Sequence, residues 1–479
     1  MNPAKLVHPG FWFGKTKYDD ARRWAKAGAG GFCIYWGAPQ EIIEFCREMR
    51  SLSPHSNILI SADYEDGLGR WVNGGELLPS NMALGAGREE DLAVKKGLIT
   101  ARQARSLGVD WIFAPVVDLA AEPENPIVNV RAFGAEPELV TKMAMAFMAG
   151  LSQGGVLNCL KHFPGHGATE KDSHLTLPVI NKTFNELFDK DLFPFRMLFK
   201  FADAVMAGHL IVPAVDREEP ASLSEKVIKD LLRKRLNYKG CVLTDALLMK
   251  AIGDQKTAAL KALKAGADIL LAPSDPDEII EFVQKLPSED EKWPDVFTGS
   301  LSAQELLLAK NAKAEVRRPE QTFFKSDYSA KAAPKCITAF GSGNIEYSAG
   351  EKVFYKVFDE ENFLETPFAR QLSANGVKLM PHDGKKAENL LLVSYCGYRS
   401  FKGYVNFTPE QKTEAETAVK NAQKSVMVSF GSPFVHKDFL KSVQTHLAAY
   451  CAVEDFQTAC AGALCGKIKV TGRLPVKFT

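Results

Sequence analysis

The chain has 479 residues, which is long enough for two domains that each bury a sizeable core. Hydrophobic residues make up 46% and charged residues 24%, a globular balance, and the formal net charge of +1 gives no general attraction to nucleic acids or anionic membranes. No apolar run of about 18 residues occurs, and the first 15 residues lack the apolar segment of a signal peptide. We therefore expect a cytoplasmic protein that binds neither nucleic acid nor membrane.

Cysteine usage points to the same compartment. The nine cysteines are scattered, odd in number and never in C-x-x-C spacing. This pattern favours reduced thiols over a disulfide framework or a zinc site.

From the start to about residue 315, short apolar runs alternate with longer amphipathic segments. Each run has the composition of a strand buried on both faces. The runs are 31–37, 57–63, 111–118, 156–162, 204–209, 241–245 and 267–275, and helix-like segments include 137–155, 224–236 and 255–267. This alternation implies parallel strands joined by crossover helices. Seven or more such units favour a (β/α)8 TIM-type barrel, although the period is also compatible with a doubly wound sheet.

Titratable side chains stand where six of these predicted strands end. They are Asp63, Asp118, Lys161 with His162, His209, Asp245 and Asp275. Any one of them is compatible with an ordinary solvated strand end. In a parallel barrel, however, all carboxyl ends meet at one mouth, where active sites are built. The set therefore predicts a lined pocket.

The rest of the chain predicts a second domain. Residues 316–334 combine charge, proline and small side chains and suit a linker between a barrel of residues 1–315 and the segment 335–479. That last segment alternates again between strand-like runs and a convincing helix at 408–422. We expect a smaller α/β sandwich domain there, whose role the sequence does not decide.

The stretch KHFPGHGATEKDSH, residues 161–174, concentrates three of the nine histidines. A metal site is one interpretation, but Pro164, Gly165 and Gly167 break the helix on which H-x-x-x-H zinc binding depends. A surface loop with hydrogen-bonding histidines is a second.

A proton-transfer site is the third interpretation of this stretch. Asp172 and His174 are one residue apart, so both side chains share a face of an extended segment. The carboxylate fixes the tautomer of the imidazole and raises its pKa, which suits a general acid/base. Asp245, at the end of a buried strand, is then a candidate nucleophile for retaining glycoside cleavage, with an ion pair in the barrel mouth as the alternative. Directed hydrogen bonds to a hydroxyl-rich substrate would come from Asp63, Arg131, Lys161, His162 and His209.

The chain resembles the β-N-acetylglucosaminidase branch of the family 3 glycoside hydrolases. KHFPGHG followed by DSH is similar to the family signature, and CVLTDALLM is similar to its nucleophile strand. Four further landmarks occur in family order: ISADYEDGLGR, NPIVNVRAFG, AVMAGHLIVPAVD and the closing GKIKVTGRLPVKF. The resemblance covers nearly the whole chain.

This resemblance implies roles for individual residues. Asp245 would be the nucleophile and His174 the acid/base oriented by Asp172. The first sugar would be held by Asp63, Arg131, Lys161 and His162, with His209 lining the same pocket. The implied reaction is removal of a terminal β-linked N-acetylglucosamine (GlcNAc), for example from GlcNAc–anhydro-N-acetylmuramic acid fragments in peptidoglycan recycling, without any metal or organic cofactor.

Several alternatives stay open from the sequence alone. A phosphorylase is compatible with His174, because a neutral imidazole does not repel an incoming phosphate. A β-glucosidase fits less well, because the dyad is present and no second-domain acid can be nominated, and a silent sugar-binding protein conflicts with the intact catalytic set. Ala246 and Asp66 depart from the family pattern beside the first sugar position and leave the finer specificity open. The natural leaving group and the oligomeric state are not determined.

Overall fold

Short parallel strands close into a barrel in the first part of the chain. The computed structural model describes residues 2–55, 57–169, 177–249, 252–311, 325–398 and 404–478. The barrel strands are β1 (Val7–His8), β2 (Gly10–Trp12), β3 (Gly31–Tyr35), β4 (Leu59–Ala62), β5 (Trp111–Ile112), β6 (Cys159–Phe163), β7 (Ala204–Ala207), β8 (Cys241–Thr244) and β9 (Leu270–Leu271).

Pairing around the ring follows chain order. Strands β2 to β5 form one parallel sheet, β6 to β8 form another, and β1 pairs with β9. Parallel bridges at Trp111–Leu157 and Leu243–Ile269 join these sheets. Because β1 and β2 are two parts of one strand interrupted at Pro9, the closed ring has eight strands. The predicted (β/α)8 barrel is confirmed.

Helices cover the outside of this barrel, while large apolar side chains fill its interior. The helices are α1 (Tyr18–Ala27), α2 (Pro39–Leu52), α3 (Asn81–Gly87), α4 (Glu90–Ser106), α5 (Pro137–Gln153), α6 (Phe184–Glu186), α7 (Leu192–Leu198), α8 (Gln255–Ala265), α9 (Pro276–Glu289) and α10 (Trp293–Asn311), with π-helical turns at Leu187–Asp191 and Lys226–Arg235. Trp111, Phe113, Met206 and Leu243 belong to one buried cluster inside the ring. Burial on both sides explains why the predicted strands lack a polar face.

The second part of the chain forms a six-stranded sheet with helices. Its elements are α11 (Tyr328–Cys336), β10 (Thr338–Gly341), β11 (Lys352–Phe358), α12 (Pro367–Ala374), β12 (Lys378–Pro381), β13 (Ala387–Ser394), α13 (Pro409–Lys420), β14 (Ala422–Ser429), β15 (Thr445–Ala448) and α14 (Glu454–Leu464). The strand order is β10-β15-β14-β13-β11-β12, and only the β10–β15 pair is antiparallel. The predicted α/β domain is confirmed. Helix α11 begins inside the stretch 316–334 predicted as a linker and ends two residues beyond it, so the end of that stretch is helical.

The carboxyl edge of this second sheet faces the barrel. Ser432, just after β14, accepts a hydrogen bond from Asn129 of the barrel (Nδ2 to Oγ, 3.1 Å). Ser80 Oγ donates to the carbonyl of Tyr450, just after β15 (2.9 Å). Tyr328 in α11 donates to the carbonyl of Leu92 in α4 (2.8 Å). Loops of the second domain are thereby held against the barrel.

The structure adds two general facts. All nine cysteines are free thiols. In the described part of the chain, every helix is too short or too polar to span a bilayer.

Candidate active site

Five of the strand ends singled out above converge at the carboxyl end of the barrel. Asp63 directly follows β4, Lys161 and His162 lie in β6, and Asp245 directly follows β8. Asp118 lies after β5, where Val116 bridges to Lys161, and His209 follows β7. Asp275 differs: its side chain is exposed and caps α9 by accepting from the amide of Glu278 (3.0 Å), so it is no part of this group.

A chain of four charged side chains lines one side of the mouth. Lys161, only 2% exposed, contacts Asp63 (Nζ to Oδ1, 2.7 Å) and Glu65 (Nζ to Oε1, 2.5 Å). Glu65 in turn accepts two hydrogen bonds from Arg131, at 2.9 and 2.7 Å. The four groups thus alternate in charge from Asp63 to Arg131. These contacts hold the ammonium of Lys161 and the guanidinium of Arg131 in fixed orientations.

These ion pairs outweigh the cost of burial. Burial alone raises the pKa of Glu65, but Arg131 and Lys161 hold it well below its ordinary value. Burial lowers the pKa of Lys161, yet Asp63 and Glu65 raise it above its ordinary value. Glu65, Lys161 and Arg131 are therefore charged at neutral pH, and the site offers fixed cationic donors beside carboxylate acceptors.

A second cluster holds His162. Its Nδ1 lies 2.7 Å from Asp118 Oδ2, and its backbone amide also donates to this carboxylate, at 3.2 Å. Burial raises the pKa of Asp118, but His162 and further hydrogen bonds bring it below its ordinary value. Because an ionised carboxylate only accepts, Nδ1 of His162 carries the proton and Nε2 stays available for other contacts.

His166 is packed beside His162, with ring centroids 5.8 Å apart. Its side chain is buried, and neither ring nitrogen has a hydrogen-bond partner among the described residues. Burial, with the nearby His162, lowers the pKa of His166 to about 4, while Asp118 and Asp245 act in the opposite direction. The ring is therefore neutral at pH 7, which fits poorly with a role as a charged donor.

Asp245 is half-buried at the start of a tight turn. Its amide donates to the carbonyl of Ala207 (2.9 Å), and its Oδ1 accepts from the amide of Ala246 (2.8 Å). His209, fully buried, binds the carbonyl of Ala246 through Nε2 (3.1 Å) and Ser222 through Nδ1 (2.6 Å). His209 thus supports the turn that presents Asp245.

Aromatic side chains connect these clusters. The ring of Tyr35 stacks on Trp12 (centroids 4.7 Å apart) and meets the edge of Trp71 (5.6 Å), whose Nε1 donates to the carbonyl of Asp63. Burial raises the pKa of Tyr35 well above its ordinary value, with smaller contributions from nearby groups that include Asp63 and Asp245. Asp63 and Asp245 therefore both lie near the ring of Tyr35.

The loop after β6 is packed closely where its glycines lie. Gly165 has φ +123°, a conformation that other residues rarely adopt, and a Cβ on Gly167 would lie 1.8 Å from the carbonyl oxygen of Leu119. Further along, Asp172 and His174, predicted as the acid/base pair, lie outside the described residues. Their arrangement with Asp245 stays a prediction.

Sequence reasoning missed two contributors to the mouth. Glu65 lies two residues after Asp63, and that spacing within the ISADYEDG stretch was the only signal for it. Tyr398 comes from the second domain, and its ring lies 5.0 Å from the guanidinium of Arg131. No local sequence pattern indicates this contact, because it depends on how the two domains pack.

Asp66, one of the two departures from the family pattern, is buried and paired. It contacts Lys96, which is fully buried (Nζ to Oδ1, 3.1 Å), and Arg70 (Nη2 to Oδ2, 3.1 Å). Lys96 also donates to Asn81 (2.8 Å). Asp66 therefore carries its own counter-charges and leaves the adjoining Glu65 pairs intact.

The described part of the chain contains no group of three or more His, Cys, Asp or Glu side chains arranged to hold a metal ion. The metal interpretation of the histidines in 161–174 included His174, which lies outside that part.

Replacing Glu65 by Gln is expected to lower the free energy of unfolding by about 3–5 kcal/mol, because two buried cations lose a shared counter-charge. The shift of the urea midpoint measures this. Glu278→Gln is the matched control: its pair with Lys256 is exposed on both sides, and its loss should cost less than about 1 kcal/mol. Equal shifts for both variants would contradict the claim that the buried ion pairs of Glu65 stabilise the fold.

The arrangement described above defines a barrel enzyme with carboxylates, directed cations and aromatic rings at one mouth. Residues 26–295 match the Glycosyl hydrolase family 3 N terminal domain. A protein named Beta-hexosaminidase from Nitrosomonas eutropha is 34% identical over 275 residues, covering 54% of this chain and 78% of the relative. Another of that name from Neisseria meningitidis serogroup C is 32% identical over 318 residues, covering 62% and 87%.

The whole two-domain architecture also has a solved counterpart. A family 3 β-N-acetylglucosaminidase from Paenibacillus sp. str. FPU-7 superimposes with a TM-score of 0.84 at 28% identity, covering 100% of this chain and 98% of the other. The chain therefore belongs to glycosyl hydrolase family 3. It is a glycoside hydrolase, and the matched relatives place it with the β-hexosaminidases of the family.

Proposed function

We propose that this enzyme removes a terminal β-linked GlcNAc and retains the configuration of the released sugar. The observation that carries the proposal is the chain of charged side chains from Asp63 to Arg131, which lies at the same barrel mouth as Asp245. The match to the family 3 domain, residues 26–295, extends over this part of the chain, and the similarity to β-hexosaminidases supports the same sugar.

The first sugar binds through directed hydrogen bonds in this proposal. Sugar hydroxyls both donate and accept, so they need fixed partners of both kinds. Lys161 and Arg131 supply donors, Asp63 supplies an acceptor, and His162 supplies the ring nitrogen left free by Asp118. The aromatic wall of Tyr35 and Trp71 offers an apolar surface beside them.

The chemistry begins with Asp245. Its carboxylate attacks the anomeric carbon as the bond to the leaving oxygen breaks, which gives a glycosyl-aspartate. His174, oriented by Asp172, donates its proton to that leaving oxygen. The same imidazole then accepts a proton from water, and the water oxygen displaces Asp245. Two inversions at one carbon leave the configuration unchanged.

Two further residues hold this machinery in position. His209 bonds the carbonyl next to Asp245 and keeps the turn in place. Asp118 bonds both the ring and the amide of His162. We propose a supporting role for both, although the family resemblance assigns His209 to the lining of the pocket.

The proposed natural substrate is a GlcNAc–anhydro-N-acetylmuramic acid fragment, and the proposed setting is cytoplasmic recycling of peptidoglycan. Both the substrate and the setting rest on analogy with the family. The pairing of Asp66 with Lys96 and Arg70 gives that departure from the family pattern a local explanation. For Ala246 the structure shows backbone bonds to Asp245, His209 and Met249 and packing against the buried cluster inside the barrel.

An aryl N-acetyl-β-glucosaminide tests the reaction, assayed with and without inorganic phosphate and with the sugar product identified by mass. Free GlcNAc in both conditions is the expected result. A sugar 1-phosphate that forms faster as phosphate rises would replace the hydrolase by a phosphorylase. A purified, folded protein that forms no product would contradict the proposal.

A further inference from the structure

A cavity of about 270 Å³ lies between the barrel and the second domain. Its barrel side includes Asp66 and Arg70, and its second-domain side includes Tyr395, Tyr398, Phe430 and Tyr450. The second-domain residues follow the ends of β13, β14 and β15, three parallel strands. In open α/β sheets, ligands bind in the crevice outside such carboxyl ends.

This cavity adjoins the proposed sugar position through Tyr398. The ring of Tyr398 lies 5.0 Å from the guanidinium of Arg131 and 6.0 Å from that of Arg70. Arg131 belongs to the charged chain at the mouth, whereas Arg70 lines the cavity. A substrate that extends beyond the first sugar past Tyr398 would therefore reach Arg70.

Arg70 has donors to spare for a ligand. Its side chain is 44% exposed, and its hydrogen bond to Asp66 is a single contact of 3.1 Å through Nη2. Asp66 is also bonded by the buried Lys96 from the other side. A guanidinium carries five N–H donors in a planar fork that matches a carboxylate.

Charges along this wall do not cancel. Lys96 and Arg70 share the carboxylate of Asp66. Lys161 and Arg131 share that of Glu65. Lys161 also contacts Asp63. Four cations thus face three carboxylates, and Arg70 is the most exposed of the four cations. An excess positive charge on an exposed guanidinium favours an anionic partner.

We propose that this cavity binds a carboxylate carried by the part of the substrate beyond the first sugar, with Arg70 as its direct partner. The proposal rests on the proposed function and deepens it. The aromatic side chains Tyr395, Tyr398 and Phe430 give the accompanying sugar or peptide portion an apolar wall. A muramic acid residue, whose lactyl group ends in a carboxylate, has this chemistry.

A pair of substrates isolates the carboxylate. One is GlcNAc-β-1,4-anhydro-N-acetylmuramic acid, and the other is the same disaccharide with its lactyl carboxyl converted to the methyl ester. The unaltered protein should favour the acid over the ester in kcat/KM by about two- to fivefold, the range of a partly exposed ion pair. In Arg70→Gln this ratio should fall to about one, whereas Arg70→Lys should retain part of it. Rising NaCl should also reduce the ratio.

Arg47→Gln is the matched control. Arg47 is an exposed arginine on α2, on the outside of the barrel, and its loss changes the net charge by the same amount. The acid-to-ester ratio should be unchanged in this variant. Equal kcat/KM for acid and ester in the unaltered protein, or an unchanged ratio in Arg70→Gln, would overturn the proposal.

Binding measurements test the carboxylate site independently of the reaction. Calorimetry with N-acetylmuramic acid and with its methyl ester measures the carboxylate contact without any turnover. Tighter binding of the acid that is lost in Arg70→Gln supports the site even if the aryl N-acetyl-β-glucosaminide is not cleaved. Cleavage of the aryl substrate together with equal binding of acid and ester would overturn the site and leave the reaction in place.

Discussion

Replacing Asp245 by Ala is expected to lower kcat on an aryl N-acetyl-β-glucosaminide by about 10⁴-fold or more, the scale seen when a catalytic nucleophile is removed. Without the carboxylate, no covalent intermediate forms and water has to displace the leaving group directly. Initial rates at saturating substrate measure the loss. Added azide should restore turnover and give the α-glycosyl azide, because a single displacement inverts a β-linked sugar.

Asp275→Asn provides the control for this result. Asp275 is another aspartate after a barrel strand, but its exposed side chain caps α9. Its replacement should leave kcat near that of the unaltered protein and cost at most about 1 kcal/mol of stability. Turnover of Asp245→Ala within tenfold of the unaltered protein would remove Asp245 from the mechanism.

Replacing His174 by Ala is expected to lower kcat/KM on a GlcNAc disaccharide by about 10²–10⁴-fold, the usual contribution of general acid/base help. The leaving sugar alkoxide is a strong base and has to be protonated as it departs. A nitrophenolate leaving group needs little protonation, so cleavage of the aryl substrate should lose much less in this first step. The ratio of the two losses measures acid catalysis separately from any effect on folding.

His382→Ala is the control for this variant, because His382 lies in the second domain, outside the barrel. Its replacement should change neither rate. Equal losses on the disaccharide and the aryl substrate in His174→Ala would contradict the assignment of His174 as the acid.

The barrel could be predicted from sequence because its strands are buried on both faces. Runs such as CVLTD and WIFAPVVD have no polar face, and their order with the helices reflects the crossover connections. The first strand was missed because Pro9 divides it into two short pieces, Val7–His8 and Gly10–Trp12, which give no continuous run.

Site residues could be predicted where a functional side chain stands at the end of a strand. Asp63, Lys161 and Asp245 were found from their position at the ends of apolar runs, and the structure brings them to one mouth. The same reasoning placed Asp275 with this group, because it also follows an apolar run. Its side chain instead caps α9, the helix that comes directly after it. Tyr398 was missed because its place beside Arg131 depends on how the two domains pack, which no local sequence pattern shows.

Trapping the covalent intermediate tests directly whether Asp245 is the nucleophile. An activated GlcNAc glycoside with fluorine at C5 slows the hydrolysis of the glycosyl-enzyme more than its formation, so the sugar should remain attached. Mass spectrometry of the protein and then of its peptides should show one added sugar, carried by the peptide that contains Asp245. A protein that cleaves the aryl substrate but carries the label on another residue, or carries none, would contradict the assignment of Asp245 as the nucleophile.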